Sequence, residues 1–340
     1  MIRLVRTVFG VSVIFLSVDA TSHHSTQVFY DYDDVIEIQG QVTWVLWRNP
    51  HVRFNLTSTD SSGNEEMWEL EGGSLNSLQR ASVSEDVIKV GDTILAAGPR
   101  SSRGLNTIYV SNVLLPDGQE VSLRQEQRLR WTTAASSVSG NEERSEPLTT
   151  ASPQANSIFR VWTREYGDRP AALPFTATAV EKKQGWDPLT EDPAIRCIPQ
   201  GMPGAMDNPY PIEFVRQGED IALRLEEWDG LRVIHMGTEI PAGGSFVPHM
   251  GYSTGHWEGD VLVVETSNVD YPLFDPSGIP QSEEVEIVER FQLSDDGERL
   301  DYQATVTDPG TFSQPAVLYQ HWMWAPDEEI KVYECTLGEA

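Results

Sequence analysis

The sequence predicts an all-β protein of two domains, a small OB-like barrel followed by a lipocalin-like antiparallel β-barrel. Three observations predict it. Short segments of apolar–polar alternation recur along the chain, as half-buried strands require, with turn residues between them. No long helical period interrupts them. A polar stretch at 126–157, rich in small residues, divides the strand-rich sequence into 23–125 and 158–340, each of ordinary domain size.

The first residues come before either domain. Arg3 and Arg6 precede an apolar run of 11 residues from Val8 to Val18. A basic start and a core too short to span a bilayer make a signal peptide at 1–22, cut after Ala20 or after Ser22. The expectation is a periplasmic or secreted protein with no membrane span after cleavage.

In the first domain, Ile36–Trp47 alternates around Gly40, and a glycine inside a strand marks a bulge or tight bend. Asn49-Pro50 ends the ladder. Val52, Phe54 and Leu56 then share one face, with His51, Arg53 and Asn55 on the other. Met67–Glu71 is a third strand and Gly73–Ser82 a short helix. Thr93–Ala97 and Thr107–Leu115 follow, and Pro116-Asp117-Gly118 turns the chain into Glu120–Leu123. Three strands, a helix and two strands is the OB order. OB barrels often bind nucleic acid. Here 24 Lys and Arg face 52 Asp and Glu, a net charge of −28. Binding a polyanion depends on Lys and Arg displacing counterions, so nucleic acid is excluded as a partner.

The second domain offers Ile212–Arg216, Ile221–Trp228, Leu231–Met236, Val261–Thr266, Val285–Leu293, Leu300–Thr307, Ala316–Trp324 and Ile330–Cys335. Successive hairpins of this kind close into an up-and-down barrel able to enclose a small ligand. Gly251–Asp260 lacks the ending of a phosphate loop and the context of a nucleophile elbow. It reads as a loop closing one barrel mouth, anchored by Trp257.

Alternation also assigns polar side chains to faces. Glu227 falls with Ile221, Leu223 and Leu225, and His235 with Leu231 and Val233. Glu289 falls with Val285, Ile287 and Phe291, and His321 with Val317, Tyr319 and Met323. If those faces point inward, the lumen holds two His and two carboxylates, a catalytic general acid/base set. The structural alternative is that each sits at a strand end or pairs locally, Glu289 with an Arg for example.

Cys197 and Cys335, behind an export signal, suggest one disulfide. The histidines form another candidate set. A cut after Ser22 exposes the amine and imidazole of His23 as a chelate. His24 or His51 then supplies a third nitrogen, a metal set suiting Cu or Zn. Otherwise His23 and His24 are a signal-proximal pair and His51 a surface residue after a turn. No dinucleotide or nucleotide fingerprint is present, so no organic cofactor is expected.

His23-His24-Ser25, Gly40-x-Val42, Trp47-x-Asn49-Pro50-His51 and Trp68-x-Leu70-Glu71 resemble an exported bacterial domain family of unknown function, over about residues 23–123. The second half resembles a different uncharacterised exported family. Its matching pieces include Cys197-x-Pro199-x-Gly201, Pro209-Tyr210-Pro211, Gly255-x-Trp257-Glu258-Gly259-Asp260-x-Leu262-Val263-Val264-Glu265-Thr266, Val288-Glu289-Arg290-Phe291 and Tyr333-x-Cys335. It departs from that family at Gln281-Ser282, where His-Ser is usual, and at Met236-Gly237-Thr238, where Asp-Gly-Arg is usual. The resemblance implies export, two β domains and the Cys pair, and no activity. The functional expectation is therefore a protein that binds a small, largely apolar ligand in its C-terminal barrel. A cofactor-independent isomerase, lyase or hydrolase in that barrel, or metal binding through the histidines, are the alternatives. The sequence names no protein partner.

Overall fold

A computed structural model describes residues 29–124, 128–132, 157–165, 172–237 and 247–336. The expected signal peptide and most of the polar linker lie outside these residues. Both barrels are present.

The first contains β1 (Tyr30–Leu46), β2 (Arg53–Thr59), β3 (Glu65–Glu71), α1 (Leu75–Arg80), β4 (Thr93–Ser101), β5 (Thr107–Tyr109), β6 (Asn112–Leu114) and β7 (Glu120–Ser122). The order β1-β2-β3-β5-β4 closes through a β1–β4 pairing, and β3 and β5 run parallel. This five-strand closure is the OB arrangement, extended by β6 and β7. β1 serves two partners, lying along β4 from Tyr30 to Gln41 and along β2 from Gln41 onward. Gly40 sits at the changeover. A Cβ there would lie 2.5 Å from the Thr57 carbonyl oxygen, so only glycine lets the strands approach. Val52, Phe54, Leu56 and Leu70 fill the core as their alternation predicts. The Ser74 hydroxyl accepts the Ser77 N–H at 3.1 Å and caps α1.

The second barrel has nine strands. They are β8 (Val161–Arg164), β9 (Ile212–Gln217), β10 (Asp220–Leu225), β11 (Gly230–His235), β12 (Tyr252–Glu258), β13 (Val261–Ser267), β14 (Glu286–Leu293), β15 (Arg299–Thr307) and β16 (Ala316–Trp324). Two short helices, α2 (Ala177–Gly185) and α3 (Pro188–Glu191), lie between β8 and β9. Neighbouring strands are antiparallel except β11 and β12, which run parallel. Two sequence expectations are corrected. Gly251–Asp260 contains strand β12 rather than a closing loop. A Cβ on Gly255 would come within 2.6 Å of the Ile234 side chain, so the glycine lets β11 and β12 meet. Ile330–Cys335 is not a barrel strand. It crosses to the first barrel, where Cys335 bridges Asn49.

The expected ligand chamber is a packed core. Phe214 on β9 meets Phe291 on β14 across the barrel, with ring centroids 5.2 Å apart. Phe291 contacts Tyr302 on β15 at 5.0 Å, and Tyr302 contacts Trp322 on β16 at 5.4 Å. A buried ion pair also spans the interior. Arg232 on β11 donates through Nη1 to Glu289 Oε1 at 2.9 Å and through Nη2 to Oε2, and the Tyr302 hydroxyl donates to Oε1 at 3.0 Å. Ser253 and Thr266 accept two further guanidinium protons at 2.9 and 2.6 Å. Every charge in this network is matched, which is what burial demands.

Removing one partner leaves the other charge buried and uncompensated. Glu289→Ala is expected to cost about 3–5 kcal/mol in urea denaturation. A loss under about 1 kcal/mol, the range of an exposed pair, would contradict this reading of the interior.

Candidate functional site

The two barrels meet around Glu226, which lies just past β10 and is fully buried. Arg80 from α1 grips both its oxygens. Asn76 Nδ2 donates to it at 2.9 Å, as does the Lys331 backbone N–H. The C-terminal segment threads this junction. Asn49 Nδ2 donates to the Tyr333 carbonyl oxygen, and the Tyr333 and Glu334 N–H groups donate to Asp229 at 2.8 and 3.0 Å. The Cys197–Cys335 disulfide joins residues 138 apart and fixes the end of this segment. In the chain-entropy picture such a loop contributes roughly 5 kcal/mol.

A cleft of about 810 Å³ opens between the barrels beside this junction. One wall is the β1–β2–β3–β5 face of the first barrel. There His51 Nδ1 is 3.0 Å from the Gly72 carbonyl oxygen and Nε2 is 3.4 Å from Glu71 Oε1. The Tyr30 hydroxyl donates to Glu71 Oε2 at 3.0 Å. Burial first, then the Glu71 charge, pushes the Tyr30 and Tyr109 phenols well above their ordinary range. Tyr30 and Tyr109 stack at 5.5 Å, and Arg124 lies 4.8 Å over the Tyr109 ring.

The opposite wall carries Tyr210, Glu227, Trp228, Tyr271 and Tyr333. Tyr333 packs against Tyr210 and Trp228, each with centroids 5.3 Å away. Trp228 and Asp229 hold φ of 60° and 52°, the left-handed region that branched and bulky residues avoid. Such backbone costs of order 1–3 kcal/mol per residue and persists only where surroundings fix it. Here the Asp229 hydrogen bonds and the Tyr333 ring do so. Glu227 occupies a 3-10 turn at 227–229. Burial, then the nearby Asp207 charge, pushes its carboxyl up to about 8. Among the described residues it has no hydrogen-bond or ion-pair partner.

The four residues expected to share the barrel lumen have four different surroundings. Only Glu289 points inward, and Arg232 pairs with it. On β11 the inward residues are Arg232 and Ile234, so His235 faces out. It stacks on Tyr252 at 5.0 Å, with Nδ1 2.9 Å from Asp220. On β16 the inward set includes Ala316 and Trp322, so His321 faces out, with Nε2 3.2 Å from Glu165. Glu227 lies beyond β10, in the cleft. His51 also lines the cleft, whereas His23 and His24 lie outside the described residues. Among the described residues no three His, Cys, Asp or Glu side chains group to hold a metal.

The cleft residues that sequence reasoning missed are Tyr30, Glu71, Tyr109, Tyr210, Trp228, Tyr271 and Tyr333. Several of them belong to sequence motifs. The Asn-Pro-His and Trp-x-Leu-Glu motifs end in His51 and Glu71, which meet here. The Pro-Tyr-Pro and Tyr-x-Cys motifs of the second half supply Tyr210 and Tyr333 to the facing wall.

Residues 11–107 match the model of a family of unknown function, DUF6152. The match takes in β1 to β4 and ends at the start of β5. Residues 11–107 are thus similar to an uncharacterised family. No curated protein matches the chain.

Glu227 makes stability depend on pH. Its carboxyl titrates near 4.5 in an unfolded chain and near 8 in the folded one, so the folded state holds the extra proton between those values. Stability is undiminished below the lower value and falls as pH rises through the window. Glu227→Gln is expected to match the wild type at about pH 4 and to exceed it by roughly 1–4 kcal/mol at about pH 9 in urea titrations. An equal difference at both pH values would show that the carboxyl does not titrate in this window.

Proposed function

We propose that the protein binds a small, largely apolar, ring-bearing molecule in the cleft between its barrels. The observation that carries this reading is the cleft itself, about 810 Å³ and walled by aromatic side chains from both domains. Ligand sites of that size favour domain interfaces. They combine apolar walls with a few placed polar groups, a role open here to His51, Glu71 and Glu227. Because aromatic side chains pack the lumen of the second barrel, the cleft is the better-supported place for the ligand expected in that barrel. Export to a periplasmic or extracellular space fits the basic start, the short apolar run and the disulfide. For the C-terminal half, membership of a second exported family rests on its motifs alone.

Trp228 is the tryptophan among the cleft residues, and this makes the reading testable. Purified protein titrated with lipids, terpenoids and small aromatics is expected to show saturable tryptophan quenching with at least one class. Trp228→Phe is expected to remove most of that response while calorimetry still detects binding. Quenching retained in full by Trp228→Phe would place the ligand elsewhere. Absence of any response across the panel would remove the reading.

A further inference from the structure

We infer that the molecule held in the cleft carries an organic cation, an amine or quaternary ammonium group, seated between the Glu227 carboxylate and the rings of Trp228 and Tyr271. This deepens the cleft reading and rests on it. The two walls of the cleft differ in charge.

On the first wall the positive charge is already in place. Arg124 lies over Tyr109 at 4.8 Å and over Tyr32 at 5.1 Å. There a guanidinium covers the negative ring faces, as cations do. The facing wall has equivalent chemistry without the cation. Glu227 lines the cleft together with Tyr210, Trp228, Tyr271 and Tyr333, and no Lys or Arg of the described residues pairs with it. Its charge is felt by the phenols of Tyr210, Tyr271 and Tyr333, each raised by burial first and by the Glu227 charge after. Two other carboxylates lie nearby, and one of them, Asp207, is paired with Arg164. Asp207 acts on Glu227, and Asp192 on Tyr271. The adjoining Glu226 is fully occupied by Arg80, Asn76 and the Lys331 N–H.

An unpaired, partly buried carboxylate is costly to ionise, and a cation brought beside it recovers that cost. Ring faces add to the attraction most strongly where water is excluded, and tryptophan is the best of them. A net charge of −28 also concentrates cations around the molecule. A neutral Glu227 donating a hydrogen bond to a carbonyl-bearing ligand is the competing chemistry, and pH separates the two.

The test compares phenyltrimethylammonium with its uncharged isostere tert-butylbenzene on the full chain, read by tryptophan fluorescence and calorimetry. The cation is expected to bind at least about tenfold more tightly than the isostere. Glu227→Gln, which keeps shape and hydrogen-bonding capacity, is expected to weaken the cation about tenfold and leave the isostere unchanged. Cation affinity is expected to rise from about pH 6.5 to about pH 9 in the wild type and to stay flat in Glu227→Gln. Equal binding of the two probes, or no effect of Glu227→Gln, would overturn the cationic inference and leave the cleft reading standing. Cation affinity that falls with rising pH would likewise overturn the cationic inference, and acetophenone binding that falls over the same range would point to the neutral-donor chemistry instead. If neither probe binds while the wider panel does, the cationic inference alone fails. If the whole panel fails, both fail.

Discussion

The relation between the two barrels depends on one buried carboxylate. Glu226 is removed from water, and removing a charge from water is prohibitive unless donors replace the lost hydration. The replacements come from three places in the chain: the Arg80 fork, the Asn76 amide and the Lys331 backbone N–H. Arg80 and Asn76 belong to α1 of the first barrel, Glu226 to the second, and Lys331 to the C-terminal segment. The carboxylate therefore sets three bodies at once. The same junction brings the Tyr333 N–H to Asp229, beside the second wall of the cleft.

The C-terminal segment makes the arrangement closed. It forms no ladder with either sheet, so its backbone groups need other partners, and buried N–H groups are rarely left without them. They find Glu226, Asp229 and Asn49. The disulfide anchors the segment to the loop between α3 and β9. Asn49 explains why the first barrel takes part. Its side chain is buried and reaches both Asn76 and the Tyr333 carbonyl, so the end of the ladder at Asn49-Pro50 is also a docking point.

Much of the fold was legible in the sequence because alternation encodes which face is buried. Val52, Phe54 and Leu56 show it plainly, and so do Ile287, Glu289 and Phe291. Where alternation failed, the cause is physical. On β11 the apolar residues Leu231 and Val233 outvote the inward face, because that face holds Arg232, which only its partner Glu289 makes tolerable inside. On β16 both faces are apolar, with Val317 and Met323 on one and Leu318 and Trp322 on the other, so the period carries no direction. β8 has four residues, too few for a pattern. Ile330–Cys335 alternates like a strand, yet side chains of Asn49, Glu226 and Asp229 pair with its backbone. The cleft was the least legible feature. Its walls join residues such as His51 and Tyr333, 282 apart in sequence, and no local period relates them.

Glu226 and Glu227 show the limit most sharply. They are the same residue type, adjacent, at the end of one strand. The first turns inward and is saturated with donors. The second turns to the cleft and has none among the described residues. The chain leaves the extended conformation at Glu226, whose φ of −63° and ψ of −42° open the 3-10 turn, so the alternation ends there and the next side chain lies beside the rings. A strand continuing through Trp228, as the alternation suggested, would have placed Glu227 in the lumen with Leu225. The strained turn instead spends conformational energy to bring an unpaired carboxyl and an indole to the same opening. Strain of that kind persists where the surroundings over-determine it, and here Glu226 on one side and Tyr333 on the other supply that determination. The structural carboxylate thus holds the turn that presents the unpaired one to the cleft.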